Sequence, residues 1–107
     1  MRILLDECAP RRLRQELAGH DVRTVPEMGW SGKKNGELLA LMAADGFEVL
    51  LTIDQNLRFQ QNLAAAGVAV VVMAAHPNRL PDLVPLAPDV LAALAGVRPG
   101  DVREIHA

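Results

Sequence analysis

The sequence predicts an α/β fold, a three-layer α/β/α sandwich around a mostly parallel central sheet. Three observations predict it. Apolar runs of strand length at Arg2 to Leu5, Phe47 to Ile53 and Val68 to Met73 are nearly continuous. Strands covered on both faces have that pattern, and half-exposed strands do not. Between the runs lie helical stripes closed by Gly19, Gly46 and Gly67. Lastly, two of the runs end abruptly in acid, at Asp6-Glu7 and at Asp54.

Taken in order, the first strand covers Arg2 to Leu5 and turns at Asp6-Glu7-Cys8-Ala9. Pro10 suits a first helical position, where its missing N–H costs nothing. Leu13 and Leu17, four apart, face inward, while Arg11, Arg12 and Arg14 stay wet. His20 to Val25 alternates enough to be a second, shorter strand nearer the edge. The segment from Pro26 to Lys34 is a loop, with two glycines and a proline. Asn35 is the expected N-cap of the next helix, with Glu37 in its first turn. Leu38, Leu41 and Met42 give that helix its stripe.

After Asp54 a helix is expected over Leu57 to Ala66, then a fourth strand over Val68 to Met73. His76-Pro77-Asn78 reads as a turn. Leu80 to Ala95 has helical composition interrupted by Pro81, Pro85 and Pro88, so a kinked or two-piece helix is expected. Asp101 to Ile105 can add a small final strand. The alternation implies right-handed crossovers. A strand order of 2-1-3-4 places the topological switch between the two strands that end in Asp6 and Asp54.

The chain of 107 residues is long enough for one core and too short for two, so residues 1–107 are expected to be one domain. Half the residues are hydrophobic and 22% are charged, which excludes disorder. A formal charge of −2 excludes binding of nucleic acid through a global basic field and leaves local basic patches. The single cysteine, Cys8, excludes an internal disulfide and suits a reducing cytoplasm. No signal peptide is expected, because charge begins at Asp6 with no long apolar core behind it. No run approaches the length of a membrane span.

The acids carry the chemistry. In parallel α/β sheets, ligands gather outside the carboxyl ends of the strands. If the strands ending in Asp6-Glu7 and Asp54 are neighbours, roughly 5 Å apart, their carboxylates share a crevice. Like charges that close repel unless a cation or proton lies between them. A divalent metal site is the inference. Singly, each acid has a simpler account: Asp54 as a helix cap, Asp6 as a turn residue. Glu7 is the weakest of the set.

The runs LLDEC-P (Leu4 to Pro10), GHDV (Gly19 to Val22), GWSGKKNGELL (Gly29 to Leu39) and LLTIDQNL (Leu50 to Leu57) together resemble a PIN-like domain. More narrowly, the chain resembles the short PIN-like branch found in bacterial toxin–antitoxin operons. The resemblance implies a metal-dependent ribonuclease using clustered acids and Mg²⁺ or Mn²⁺, and pairing with a small antitoxin. It matches Asp6 to the acid after the first strand, Glu37 to the acid on the helix before the third, and Asp54 to the acid after the third. Those three become the implied metal ligands. Asn56 lies where many PIN domains place a fourth acid, but here it is an amide.

Hard oxygen ligands suit Mg²⁺, and a bound metal polarises a scissile phosphate and activates water. For the RNA, Arg11, Arg12 and Arg14 offer phosphate contacts, as do Lys33 and Lys34 beside Trp30, which can stack on a base. A solvated helix face and a packed Trp are the plainer readings. Thr52 fits a turn role, and Cys8 fits a small buried thiol. A homodimer is expected from the apolar excess and the resemblance. Two other functions share the pattern. A receiver-like phosphoacceptor also places acids after its first and third strands, but it needs a hydroxyl after the fourth and a Lys after the fifth. An inactive PIN-like module that only binds a partner is the other, motivated by Asn56.

Overall fold

The computed structural model describes residues 1–55, 63–75 and 77–107. Its sheet has five parallel strands: β1 (Arg2–Leu5), β2 (Asp21–Thr24), β3 (Val49–Thr52), β4 (Ala69–Ala74) and β5 (Val102–His106). Their spatial order is β2-β1-β3-β4-β5. The expected 2-1-3-4 order is present, and the segment near Asp101 adds β5 at the far edge. Central β1 and β3 run side by side, with Leu5 opposite Leu51.

The pleat divides the apolar residues between two cores. Ile3, Leu5, Val49, Leu51, Val71 and Met73 face one way. They meet Leu13 and Leu17 together with Leu83, Leu86, Val90 and Leu94. Leu4, Leu50, Val70 and Val72 face the other way, against Leu38, Leu39, Met42 and Leu63. A strand buried on both faces needs no polar alternation, which explains the continuous runs in the sequence. The helices are α1 (Asn35–Ala44), α2 (Leu63–Ala66), α3 (Leu80–Leu83) and α4 (Ala87–Leu94). A 3₁₀ turn over Val84–Leu86 joins α3 to α4, so the proline-rich segment is a helix in pieces, as expected.

Some expectations change. Arg11–Glu16 is a 3₁₀ helix, and Pro10 is its N-cap instead of its first residue. A 3₁₀ helix rises about 2.0 Å per residue against about 1.5 Å for an α-helix. Six residues therefore cover roughly 12 Å, close to the length of a four-residue strand. That reach returns the short connection to the start of β2 while Leu13 and Leu17 stay buried. At α1 the cap position belongs to Lys34, and the helix begins at Asn35, whose side chain is not described. The expected helix over Leu57 to Ala66 is represented by α2. Its earlier part, with Asn56, and His76 of the expected turn lie outside the described residues.

Leu50 is 1% exposed in the middle of β3. Leu50→Ala should lower the unfolding free energy by about 2–5 kcal/mol in urea, by lost transfer energy plus a residual cavity.

Candidate active site

The carboxyl ends of β1 and β3 meet through one hydroxyl. Thr52, the last residue of β3, is fully buried. Its Oγ1 donates to Asp6 Oδ2 at 2.8 Å and accepts from the Asp54 backbone N–H at 3.1 Å. The Asp6 N–H extends the ladder by donating to the Leu51 carbonyl at 2.9 Å. Asp6 Oδ1 accepts from the Glu7 N–H at 2.9 Å. Asp6 is therefore held by its backbone and by both carboxylate oxygens. Asp54 follows two residues after the shared hydroxyl and is partly exposed.

Cys8 belongs to this cluster. Its Sγ lies 3.5 Å from Asp6 Oδ2 and 3.5 Å from Thr52 Oγ1. The residue is exposed, which corrects the expectation of a buried thiol. Desolvation at its sulfur nevertheless pushes the thiol up from its ordinary value, outweighing hydrogen bonds from Thr52 and the Ile53 backbone. A protonated thiol is a weak nucleophile. Cys8 here is a neighbour of the carboxylate, not an attacking group.

Glu7 is engaged as well: its Oε1 accepts from the Gly32 N–H at 3.3 Å. That bond brings the loop carrying Lys33 and Lys34 to the Asp6-Glu7 turn. Trp30 in this loop packs edge-on against Phe47, with centroids 5.7 Å apart at 72°. It is partly buried against the second core, the plainer of the two expected roles. Glu37 is in the first turn of α1, exposed, with Lys33 Nζ 4.0 Å away. The structure thus links the Asp6 carboxylate to the Asp54 backbone through Thr52 and leaves Glu37 on an ion pair of its own. Among the described residues, no three His, Cys, Asp or Glu side chains form a group that could hold a metal ion.

On the β2 side of Asp6 lies a cleft of about 550 Å³. Asp6 and Glu7 form one wall, Arg11 and Arg14 another, and Thr24 and Glu27 a third. Arg14 Nη1 bonds Glu27 Oε1 at 2.9 Å. The same oxygen accepts from the Thr24 N–H at 2.7 Å, and Thr24 Oγ1 accepts from the Glu27 N–H at 3.3 Å. This reciprocal pair has the hydrogen bonds of a capping box but closes the turn after β2 instead of a helix, and its spacing is readable from Thr24-x-x-Glu27. The Thr24 backbone, more than Arg14, holds the Glu27 carboxyl below its ordinary value.

A family model described as PIN like domain matches residues 1–75, which include Asp6, Glu37 and Asp54. The chain belongs to the PIN-like domain family. Neither curated proteins nor solved structures include a match to it. PIN-like domains are generally nucleases, so membership associates the chain with a nuclease superfamily. The match stops after β4; α3, α4 and β5 lie beyond it. No helix among the described residues is long and apolar enough to cross a membrane.

Thr52→Val should cost about 1–3 kcal/mol of stability, because it strands the Asp54 N–H and removes a donor from Asp6. Thr52→Ser, which keeps the hydroxyl, should recover most of that loss in the same denaturant titration. Glu27 gives a pH prediction. Its folded-state pKa is lowered, so its contribution is present above the unfolded value near 4.5 and is lost as pH falls through the folded value. Thermal melts between pH 6 and pH 3 should show a shallower acid decline in Glu27→Gln than in the parent.

Proposed function

We propose that this PIN-like domain is a metal-dependent endoribonuclease, the toxin component of a toxin–antitoxin pair. The observation that carries the reading is the Thr52 hydroxyl shared by the Asp6 carboxylate and the Asp54 backbone at the carboxyl ends of adjacent central strands. The donor chemistry fits Mg²⁺ or Mn²⁺. These are hard ions that take one or two carboxylates and complete their shell with waters and phosphate oxygens. Asp6 and Asp54 would hold the ion, and the resemblance adds Glu37 as a third ligand. When bound, the metal supplies charge neutralisation at the scissile phosphate and activation of a water.

The chain's own residues do the rest. Thr52 fixes the direction of the Asp6 carboxylate, so the acid needs little reorganisation when substrate arrives. Glu7 anchors the loop of Lys33 and Lys34, which brings positive charge towards a polyanionic strand. Asn56, the fourth position of the resemblance, is assigned to orienting water. The resemblance also brings a small antitoxin protein and a homodimer into the proposal, and the single cysteine adds a cytoplasmic setting.

The receiver reading loses support from the completed sheet. Its strand order is shared with phosphoacceptor domains. However, β4 ends at Ala74 and is followed by Ala75, with no hydroxyl.

Purified protein should cleave single-stranded RNA with Mn²⁺ or Mg²⁺ and stop with chelator. Asp54→Asn should lose at least about 100-fold in rate, the scale typical for a disrupted metal shell. It should also lose most of the stabilisation that saturating Mn²⁺ gives the parent, since such stabilisation follows affinity for the folded state. Equal Mn²⁺-induced shifts in denaturation midpoint for both proteins would make Asp54 a helix cap and end the nuclease reading.

A further inference from the structure

The cleft on the β2 side of Asp6 is not needed to gather the acids, yet it shares Asp6 with them. Its volume of about 550 Å³ falls in the range of small-ligand sites. Its chemistry is uneven. Arg14 is matched by Glu27, whereas Arg11 has no carboxylate partner among the described residues. A guanidinium facing a cleft with an unused fork suits a phosphate, which it can grip through two parallel hydrogen bonds. The apolar part of the lining comes from Ala9 and Pro26, with no aromatic ring. Such walls pack against a sugar or backbone and offer no platform for base stacking.

We infer that this cleft holds the phosphodiester next to the scissile one in a single-stranded RNA. In it Arg11 grips the phosphate, and Arg14 exchanges Glu27 for the same phosphate. The inference rests on the nuclease reading for the position of the scissile bond and deepens it by assigning the strand's path. The strand runs from the Asp6–Asp54 crevice across Asp6 to the end of β2. Recognition there is by backbone, so the cleft adds affinity without base preference. Glu27 acts as a placeholder for the phosphate. It keeps Arg14 extended over the cleft, and it makes weak ligands pay the loss of an ion pair.

The test is binding measured without catalysis. A short fluorescein-labelled single-stranded RNA is titrated in chelator with the parent, Arg11→Ala, Arg11→Lys and Glu27→Gln, across a series of salt concentrations. Arg11→Ala should weaken binding at least about fivefold and reduce the log–log salt slope by about 0.7, the value for one phosphate contact on a single strand. Arg11→Lys should fall between it and the parent. Glu27→Gln, which frees Arg14, should tighten binding by about twofold or more. Oligo-U and oligo-A should respond alike. Circular dichroism melts check that the exposed Arg11 variants remain folded. Binding within twofold of the parent in both Arg11→Ala and Glu27→Gln overturns the inference, even if the parent cleaves RNA with Mn²⁺. Arg11-dependent binding in a parent that never cleaves RNA keeps the cleft as a phosphate site and removes the nuclease reading instead. Displacement of the RNA by poly-glutamate at equal charge concentration identifies an acidic protein segment as the occupant, and overturns the RNA assignment.

Discussion

The hydroxyl of Thr52 is the one buried polar side chain among the described residues, and the carboxyl end of the sheet is arranged around it. A hydroxyl at that depth is tolerated only if its hydrogen bonds are made. Here both are made to the two chain segments that leave the central strands. The donated bond fixes the side chain of Asp6, and the accepted bond fixes the backbone at Asp54. One buried group therefore ties the side chain that follows one strand to the backbone that follows the other. Without it, the Asp6 carboxylate would lose the donor that fixes its direction.

The opposite end of the sheet is tied differently. Arg2, the single charge in β1, reaches Asp21 at 2.9 Å and Asp45 at 2.9 Å, and lies 4.4 Å from the centre of the Phe47 ring. It thus joins the start of β2, the end of α1 and the approach to β3. Exposed ion pairs contribute little each, but a guanidinium that also covers an aromatic face keeps its stem packed. Arg23 adds to the tie through Asp21, whose carboxyl is held low chiefly by that hydrogen bond. The amino end is closed by matched charges. The carboxyl end keeps its acids and an unmatched arginine, and the asymmetry locates where a ligand has something to gain.

The fold was legible because burial on both faces leaves a coarse mark. Val49, Leu50 and Leu51 cannot be a half-exposed strand, and glycines at 19, 46 and 67 close the connections with positive φ. The prolines at 81, 85 and 88 foretold a helix in pieces. What the sequence withheld was set by distance in space. The 3₁₀ form of Arg11–Glu16 follows from the gap to be crossed, which no residue encodes. Thr52 was legible as a turn residue because its bond to Asp54 is local. Its bond to Asp6, 46 positions away, has no local signature. The Thr24–Glu27 box was legible in principle, since its spacing is a known pattern. Its meaning for Arg14 required the cleft.

Glu37 shows how weak and strong interactions divide at such a site. Its distance to Lys33 is 4.0 Å, and both side chains are largely in water. An exposed ion pair of this kind, between the loop before α1 and its first turn, is worth about 0–1 kcal/mol. In the proposed function, a divalent ion at Asp6 and Asp54 would attract a third carboxylate with more than that, because the ion would be the largest local charge there. The resting ion pair is therefore no obstacle to recruitment. It holds Glu37 and Lys33 beside each other, and on the proposed reading a polyanion that drew Lys33 away would release Glu37 at the same moment. In that arrangement the acid and the base of one pair serve opposite partners, the metal and the phosphate. Assembly of the proposed site would then depend on metal and strand together, and the free protein would not present three close carboxylates with nothing between them.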